Sequence, residues 1–370
     1  MKKVIVIYGG ESCEHEISVI TGVLTLNATD KSQYEAIPIF VDRKGRWLTG
    51  EGLNDLSVYK NQKDKRFNEV VLKPNDKTLY KIKGNKLKPM GEIYCAINCM
   101  HGGFGEGGEV CGAIRLSKIP TVASGLFASS LAMDKEFTKI ALQGIGVKCL
   151  PCVKIKRDSY YLRKQIALRL VQRKLSLPAI VKPASLGSSI GIRVAKTEAE
   201  LEMAIDLALR FDEKVVVEQM LVGAREINCA VYKKEGRVIP SECEEPISCG
   251  DMLTFDEKYK KPTKKTFPAE LDDGVASEIK RTSVKVYSRL GFSGVIRIDY
   301  LITDGEIYLN EINSIPGSLA YYLFCEGTDE FSEMLSQMIE ESVDEQCAKN
   351  QSVISFYGGV LDLSSPKIHK

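Results

Sequence analysis

The stretch Arg297-Ile-Asp-Tyr-Leu-Ile-Thr-Asp-Gly-Glu-Ile-Tyr-Leu-Asn-Glu-Ile-Asn313 carries the pattern that decides the fold of the C-terminal part of the chain. Both halves are rich in β-branched and other apolar residues, and they flank Thr303-Asp-Gly305, so the pattern predicts a β-hairpin. A three-residue loop with Gly305 in the left-handed conformation is a favoured connection and would place Arg297 opposite Glu311. A two-residue loop would shift the register by one residue and separate the polar side chains of the two strands onto opposite faces.

Four polar side chains of this hairpin are therefore predicted to share one face. Arg297 and Asp299 have period-two spacing on the first strand, as do Glu311 and Asn313 on the second, and residues two apart point to the same side of a sheet. Asp, Glu and Asn oxygens are ligands that Mg²⁺ takes beside nucleotide phosphates. A solvated polar face is the alternative, but the opposite face is mostly apolar, which favours a face that lines a cleft.

Two further segments have the composition of anion sites. A predicted strand ends at Lys182 and leads into Pro-Ala-Ser-Leu-Gly-Ser-Ser-Ile-Gly-Ile192, where small residues let backbone N–H groups approach phosphate oxygens and the lysine supplies positive charge. The segment lacks the P-loop pattern, and an ordinary hairpin loop is the alternative. Asn310-Glu-Ile-Asn-Ser-Ile-Pro-Gly-Ser318 ends a strand and begins a helix, where backbone N–H groups can form an oxyanion site.

The length of the chain predicts two or three domains. Strand and helix patterns alternate over roughly the first 120 residues, which predicts a parallel α/β sheet, and the polar segment 61–88 predicts an insertion or hairpin region. A second unit opens with a predicted helix at 126–143. A third unit is rich in strands and ends in predicted helices at 319–326 and 329–341. We therefore predict an α/β fold with three domains, at 1–121, 122–217 and 218–370.

Composition and charge argue against several classes of protein. The 370 residues carry a formal charge of +2, which gives no reason to expect nucleic acid or an acidic membrane surface as a partner. No segment approaches the roughly 20 apolar residues of a membrane helix, and the apolar run at 4–8 is too short for a signal peptide, so we expect a cytoplasmic protein. Its 11 cysteines should be reduced there. Cys149-Leu-Pro-Cys152 is typical of a short strand rather than of a redox pair.

In combination these motifs resemble the D-alanine–D-alanine ligase family of the ATP-grasp fold. The resemblance runs from Gly9 to about Phe324, and its N-terminal part is carried by Gly9-Gly-Glu-Ser-Cys-Glu-His-Glu-Ile-Ser18 and His101-Gly-Gly-Phe-Gly-Glu106. The other matching segments are Ala123-Ser-Gly125, Met133-Asp-Lys135, Glu218-Gln-Met-Leu221, Ala224-Arg-Glu-Ile-Asn228 and the hairpin and glycine motifs described above. The resemblance implies a three-domain ATP-grasp fold, with an N-terminal parallel α/β domain and an ATP site between the central and C-terminal domains.

The resemblance also implies a role for each matching position. The residues that would bind ATP are Lys135, Lys182, Glu218, Leu221 and Glu226. The residues that would hold two Mg²⁺ ions, with Mn²⁺ as an alternative, are Asp299, Glu311 and Asn313. The catalytic residues would be Glu14, Ser188, Tyr259, Arg297 and Gly317, the first three as a hydrogen-bonded triad that closes a lid at 250–265. The substrate-binding residues would be His101, Lys258, Ser318 and Tyr322.

Three positions depart from the family pattern. Gly107 stands where the family has an aspartate, and Leu186 replaces a glutamate found in some members. Tyr322 stands five residues after Gly317, where many members place a serine that holds the carboxylate of the second substrate. The second subsite therefore needs another carboxylate partner, for which Ser318 is a candidate.

The expected activity is ATP-dependent formation of D-alanine–D-alanine, a peptidoglycan precursor, through an acyl phosphate, by a homodimer. The alternatives are a D-alanine–D-serine or D-alanine–D-lactate ligase, and an ATP-grasp ligase with another amine acceptor. A nucleotide-binding protein without catalysis is the alternative of a different class. The presence of every nominated phosphate and metal residue argues against that last alternative.

Overall fold

The computed structural model describes residues 1–60, 67–247 and 264–352, together with 355 and 358. Within them the chain forms an eight-stranded sheet, two four-stranded sheets and a two-stranded ribbon. None of the helices found there is both long and apolar enough to span a bilayer. The predicted lid residues Lys258 and Tyr259 lie outside the described residues.

The N-terminal sheet has a parallel half and an antiparallel half. Its strands are β1 (Lys2–Gly9), β2 (Tyr34–Val41), β3 (Trp47–Thr49), β4 (Asn68–Lys73), β5 (Asp76–Lys83), β6 (Lys86–Glu92), β7 (Cys95–Asn98) and β8 (Thr121–Val122). Its helices are α1 (His15–Ala28), α2 (Ser57–Lys60), α3 (Gly103–Glu106) and α4 (Glu109–Leu116). The strand order is β6-β5-β4-β3-β2-β1-β7-β8, and β2, β1, β7 and β8 run parallel. The predicted parallel α/β domain is confirmed, and the described part of the polar segment 61–88 forms the antiparallel extension.

The central part is built on a four-stranded antiparallel sheet in the order β11-β10-β12-β9. Its strands are β9 (Cys152–Lys156), β10 (Ala179–Pro183), β11 (Arg193–Ala195) and β12 (Lys214–Gln219). Its helices are α5 (Leu126–Met133), α6 (Lys135–Gly144), α7 (Arg157–Leu162), α8 (Lys164–Lys174) and α9 (Glu198–Phe211). The glycine- and serine-rich loop connects β10 to β11, at the edge of the sheet that faces the C-terminal part.

The C-terminal part has a second antiparallel sheet in the order β14-β13-β17-β18 and a ribbon of β15 and β16. Its strands are β13 (Arg225–Lys234), β14 (Arg237–Pro240), β15 (Glu245–Ile247), β16 (Lys264–Thr266), β17 (Ile296–Thr303) and β18 (Glu306–Asn313). Its helices are α10 (Asp273–Arg289), a 3₁₀ helix (Gly317–Leu323) and α11 (Thr328–Asn350). The Cys149–Cys152 segment lies between the two antiparallel sheets, with Cys152 at the start of β9.

The hairpin of β17 and β18 forms, but its predicted register is wrong. The turn has two residues, Asp304 and Gly305, both with positive φ, and together with a bulge farther along the hairpin it pairs Arg297 with Asn313 and not with Glu311. A β-bulge at Asn310 inserts one extra residue into β18. The short turn and the bulge each shift the register by one residue in the same direction, and a total shift of two residues leaves each side chain on its original face. The polar side chains therefore still share a face.

Two predicted helices also differ from the structure. The segment 126–143 forms two helices because Asp134 is extended and caps α6 through hydrogen bonds from the N–H groups of Glu136 and Phe137. An N-cap aspartate satisfies donors that an unbroken helix would have paired internally. The segment predicted as a helix at 319–326 is a short 3₁₀ helix in which Ser318, Leu319 and Ala320 have left-handed backbone angles.

One hydrophobic cluster joins the N-terminal sheet to the C-terminal helices. It includes Val4 and Val19 from the N-terminal domain and Leu319, Phe331 and Met334 from the 3₁₀ helix and α11. Burial of this apolar surface holds α1 against the segment that follows β18. The motif at 9–18 and the motif at 310–318, which are far apart in the sequence, therefore meet at one site.

Candidate active site

A cleft between the central and C-terminal sheets contains a cavity of about 300 Å³. Ile180 on β10 and Leu301 on β17 face it from opposite sheets, and Met220 and Leu221 line it just after β12. Ligand cavities commonly start at about this volume and combine apolar walls with a few polar groups. Charged groups such as Lys135, Lys182 and Glu311 also line the cavity, so it can hold a ligand with both an apolar ring and a charged part.

Three buried charges form an ion-pair cluster in the wall of this cavity. Nζ of Lys182 lies 2.8 Å from Oε2 of Glu218, and Nζ of Lys139 lies 3.1 Å from Oε1 of the same carboxylate. Burial would raise the pKa of Glu218, but the two lysines lower it to about 2. Burial likewise opposes the charge of Lys182, yet Glu218 raises the pKa of this lysine above its usual value. Glu218 and Lys182 are therefore charged at neutral pH. Lys139 is a member of the cluster that the sequence analysis missed.

Lys135 connects the glycine- and serine-rich loop to the hairpin. Its ammonium donates to the carbonyl oxygen of Leu186 at 2.6 Å and lies 3.7 Å from Oε1 of Glu311. Lys182 makes a similar link, since it donates to Oδ1 of Asn310 at 3.2 Å. Ser189 in the same loop has a positive φ of 59°. Two lysines thus converge where the loop from one sheet meets the bulged strand of the other.

A second cavity, of about 410 Å³, adjoins the first. Glu226, Pro246 and Glu311 line both cavities, so a ligand in one can reach a ligand in the other beside Glu311. On the N-terminal side, Ser188 donates a hydrogen bond to the buried carboxylate of Glu14. The second cavity is thereby enclosed by all three parts of the chain.

The floor of the second cavity contains a buried ion pair. Nε and a terminal nitrogen of Arg297 donate to the two oxygens of Asp299 at 2.7 and 2.9 Å, and Nδ2 of Asn313 donates to Asp299 at 3.0 Å. Burial opposes the charge of Arg297, but Asp299 and the nearby Tyr322 hold its pKa above the usual value. Asp299 lies beneath the surface of the cavity, while Glu311 and Asn313 line it. The hairpin therefore presents a fixed cation and several oxygen ligands to the same space.

The loop after β18 places backbone donors at the edge of this cavity. Gly317 and Ser318 line it, and Ser318 has φ 52° and ψ 27°, which few non-glycine residues adopt. The N–H of Ser318 donates to Oγ1 of Thr21 at 3.1 Å. Three consecutive left-handed residues need such tertiary contacts to hold them.

Thr21 also contacts His101. Its Oγ1 lies 2.9 Å from Nε2 of His101, and both side chains are buried. The hydroxyl of Thr21 has one donor and two acceptor positions, so it can accept from the N–H of Ser318 and also bond to Nε2 of His101, in the direction set by the tautomer of the ring. Burial lowers the pKa of His101 to about 4, so the ring is neutral at physiological pH. Thr21 was not identified from the sequence, because its role depends on segments that lie far apart along the chain.

Glu106 is a third residue to which the sequence analysis assigned no role, after Lys139 and Thr21. Its carboxylate accepts from the N–H of Gly102 at 3.0 Å and of Ile315 at 3.4 Å, so it connects the His101 motif to the loop after β18. Burial, and then the nearby Glu14, raise the pKa of Glu106. Its position at the end of the motif His101–Glu106, which resembles the family, is the sequence feature from which a role could have been predicted.

The neighbouring Gly107 replaces an aspartate of the family pattern. A Cβ atom at this position would lie 2.7 Å from a carboxylate oxygen of Glu109. An aspartate side chain at position 107 would therefore come too close to the carboxylate of Glu109 unless that carboxylate moved.

The predicted site residues within the described part of the chain gather around the two cavities. The first cavity is lined by Lys135, Lys182, Glu218, Leu221, Glu226 and Glu311. The second is lined by Glu14, His101, Ser188, Glu226, Arg297, Glu311, Asn313, Gly317, Ser318 and Tyr322. Asp299 is the member of the predicted set that lies behind the wall rather than in it. Lys258 and Tyr259 belong to the segment outside the described residues.

Comparisons with known proteins cover nearly the whole chain. The family models for the D-ala D-ala ligase N-terminus and C-terminus match residues 3–124 and 141–343. A D-alanine–D-alanine ligase of Thermosipho africanus is 34% identical over 98% of each chain. The solved D-alanine–D-alanine ligase of Coxiella burnetii has a TM-score of 0.79 at 25% identity, covering 95% of this chain and 96% of that one. The VanG D-Ala:D-Ser ligase of Enterococcus faecalis has a TM-score of 0.78 at 27% identity, covering 92% and 99%. The chain belongs to the D-alanine–D-alanine ligase family, whose members are ATP-dependent ligases with the ATP-grasp fold.

Proposed function

We propose that this protein is an ATP-dependent ligase that joins two D-alanine molecules into D-alanine–D-alanine. The observation that carries the proposal is the junction of the two cavities at Glu311. A nucleotide in the first cavity would direct its phosphates toward Lys135 and Lys182, and a small amino acid in the second would lie beside Arg297. Such an arrangement suits transfer of a phosphoryl group to a carboxylate, because this chemistry needs positioning and charge stabilisation.

ATP would bind with its adenine between the apolar walls that include Leu221. Glu218 and the backbone after β12 would meet the ring, and Glu226 would accept from the ribose. The support for this assignment is that the first cavity is lined both by apolar residues such as Ile180 and Leu221 and by the charged groups of Lys135 and Lys182. The buried charges of Glu218 and Lys182 are already paired, so the site is preorganised for a polar ligand.

Asp299, Glu311 and Asn313 would hold two Mg²⁺ ions, with Mn²⁺ as an alternative. Their donor atoms are hard oxygens on one face of the hairpin, and Asp299 pairs directly with Glu311 across β17 and β18. The described residues contain no cluster of three or more His, Cys, Asp or Glu that could hold a metal by itself. A set of few carboxylates suits Mg²⁺, which usually completes its coordination with water and substrate phosphates. When bound, the ions would neutralise charge on the transferring phosphoryl group.

The reaction would begin with the first D-alanine, whose ammonium group would bind Glu14. Its carboxylate would attack the γ-phosphate of ATP, releasing ADP and forming an acyl phosphate. The amine of the second D-alanine would then add to the acyl carbon, and phosphate would leave from the tetrahedral intermediate. Arg297 and the N–H of Gly317 would stabilise the negative oxygen of that intermediate. Neutral His101 would lie near the first substrate, where it cannot repel the ammonium group.

An acyl phosphate hydrolyses in water, so a lid over the site belongs to the proposal. The segment 250–265, with Lys258 and Tyr259, is the candidate. In that arrangement Tyr259 would complete a hydrogen-bonded triad with Glu14 and Ser188. The hydrogen bond between Glu14 and Ser188 supports this assignment, since it already joins the loop to the N-terminal domain.

Phosphate release, measured with and without D-alanine, tests the proposal against a nucleotide-binding protein without catalysis. We expect release of phosphate from ATP to depend on D-alanine and on Mg²⁺, in step with dipeptide formation. Glu14→Gln should lose most of that release while ATP binding stays intact, because Glu14 lines the second cavity and not the first. ATP binding without D-alanine-dependent phosphate release in the wild-type protein would contradict the proposal.

D-serine as the second substrate is the alternative that a specific observation favours. Tyr322 occupies the position of the serine that binds the second carboxylate in many relatives, so the acceptor half of the site differs from theirs. The similarity to a solved D-Ala:D-Ser ligase is consistent with either acceptor. We further propose that the protein works in the cytoplasm as a homodimer, with D-alanine and ATP as its ligands.

A further inference from the structure

Three side chains form a connected group on the acceptor side of the second cavity. Nζ of Lys265 lies 2.8 Å from Oε1 of Glu244 and 4.4 Å from the centre of the Tyr322 ring. Arg297 and Tyr322 lie close enough for each to influence the pKa of the other. All four residues line the cavity. The group therefore extends from the Arg297 floor to the β16 strand.

The backbone fixes the direction of the Lys265 side chain. Glu244 and Asn228 exchange backbone hydrogen bonds of 2.8 and 2.9 Å, which attaches the start of β15 to β13. Lys265 pairs with Pro246 on the β15–β16 ribbon, and Lys264 pairs with Ile247. Adjacent residues of a strand point to opposite sides, and Lys265 alone of the two lines the cavity. The ammonium of Lys265 is thus held by the carboxylate of Glu244, which is almost fully buried.

The charges around the cavity indicate which ligand group Lys265 can bind. Among the described residues, the cations that line the cavity are Arg297 and Lys265, since His101 is neutral. Arg297 is committed to Asp299 through two hydrogen bonds. An ammonium has three N–H donors, and the ion pair with Glu244 is a charge contact without hydrogen-bond geometry. An acceptor amino acid brings a carboxylate that must be matched by positive charge when it leaves water.

We propose that Lys265 binds the carboxylate of the acceptor amino acid and so selects acceptors that carry one. The inference rests on the proposed ligase function. The ion pair with Glu244 and the contact with the ring of Tyr322 hold the ammonium in place. The substitution of tyrosine for the family's serine then changes the subsite from a hydroxyl that donates to the carboxylate into an aromatic platform for a lysine.

The experiment compares Lys265→Ala with Lys264→Ala, a matched control that removes the same charge from the adjacent position on the same strand. Initial rates over a range of D-alanine concentrations, at saturating ATP, give separate KM values for the donor and the acceptor. A charge-assisted hydrogen bond is commonly worth about tenfold or more in affinity. We expect Lys265→Ala to raise the acceptor KM at least about tenfold and to leave the donor KM within about twofold, whereas Lys264→Ala and Lys265→Arg stay close to wild type.

A double variant distinguishes the loss of acceptor binding from an indirect effect of leaving Glu244 without its cation. Lys265→Ala leaves Glu244 buried without its cation, so the double variant Lys265→Ala/Glu244→Gln removes both charges. We expect its acceptor KM to remain raised, and we expect the wild-type enzyme to use D-alaninamide poorly as an acceptor. Recovery of the acceptor KM in the double variant, or equal effects of Lys265→Ala and Lys264→Ala, would overturn the proposal. Absence of dipeptide formation by the wild-type protein would instead refute the ligase function itself.

Discussion

Replacing Thr21 by valine should slow the ligase reaction without weakening ATP binding, because Thr21 holds the oxyanion loop and does not contact the nucleotide cavity. The threonine hydroxyl accepts from the N–H of Ser318 at 3.1 Å and lies 2.9 Å from Nε2 of His101. Valine has nearly the same shape but can make neither contact. Thr21 acts through Gly317 and Ser318, and is therefore a positioning residue.

The expected size of the effect follows from the contacts that are lost and the strain that they oppose. Leaving a buried hydrogen-bonding group without a partner costs about 1–3 kcal/mol, and two such groups are affected. The left-handed conformations of Ser318, Leu319 and Ala320 cost about 1–2 kcal/mol each, so the two totals are similar. Loss of the restraint can therefore let the turn relax. Removal of one oxyanion donor typically lowers kcat by about 10²–10³, which sets the upper limit of the effect.

Steady-state kinetics of Thr21→Val, with Thr21→Ser as the control, provides the measurement. We expect kcat to fall by between about tenfold and 1000-fold in the valine variant, with the KM for ATP within about twofold of wild type. Serine keeps the hydroxyl and should retain most of kcat. A valine variant with kcat within twofold of wild type would show that the loop does not depend on this hydroxyl.

Three further predictions follow from the buried charges of the site. Burial lowers the pKa of His101 from 6.5 to about 4, so between these pH values the histidine is protonated in the unfolded chain but not in the folded one. The free energy of unfolding should therefore drop by about 3 kcal/mol as the pH falls through this window. Urea titrations of His101→Asn should lack this part of the pH dependence. Glu218→Gln leaves Lys182 buried without its carboxylate, so it should cost about 3–5 kcal/mol of stability and raise the KM for ATP, and unchanged urea midpoints would argue against the buried pair. Glu311→Gln should abolish turnover with little loss of folding, since the side chain lines a cleft; activity like that of wild type, or activity in excess chelator, would refute the metal assignment.

Strand patterns and short motifs were sufficient to predict much of this fold. The strand at β2 and the parallel order around β1 follow from apolar runs that alternate with helical segments, and the hairpin of β17 and β18 follows from its turn residues. Its register was mispredicted because the two-residue turn and the bulge each shift the pairing by one residue, and the bulge at Asn310 has no clear local sequence pattern. The break at Asp134 was missed although aspartate is a strong N-cap residue, because the apolar spacing continues across it.

The site was predictable to the extent that its residues lie in local motifs. Glu311 and Lys182 are recognisable from their flanking sequence, whereas Thr21 and Lys139 acquire their roles only through contacts with distant segments. Lys265 illustrates the same limit, since its partners Glu244 and Tyr322 come from separate parts of the chain. Side chains that act through tertiary contacts leave little trace in the local pattern.

Product analysis with competing acceptors tests the central claim most directly. The purified protein is incubated with ATP, Mg²⁺ and D-alanine, in competition with D-serine or D-lactate, at pH values from 6 to 9, and the products are identified by mass spectrometry. The three histidines are His15, His101 and His369, so no histidine lies in the lid at 250–265, where a protonated imidazole would favour D-lactate by repelling an ammonium group. We predict D-alanine–D-alanine as the main product, with one ADP formed per dipeptide and little D-lactate ester at any pH. Predominant D-alanine–D-lactate at pH 6, or ATP turnover without any D-alanine-containing product, would contradict the account.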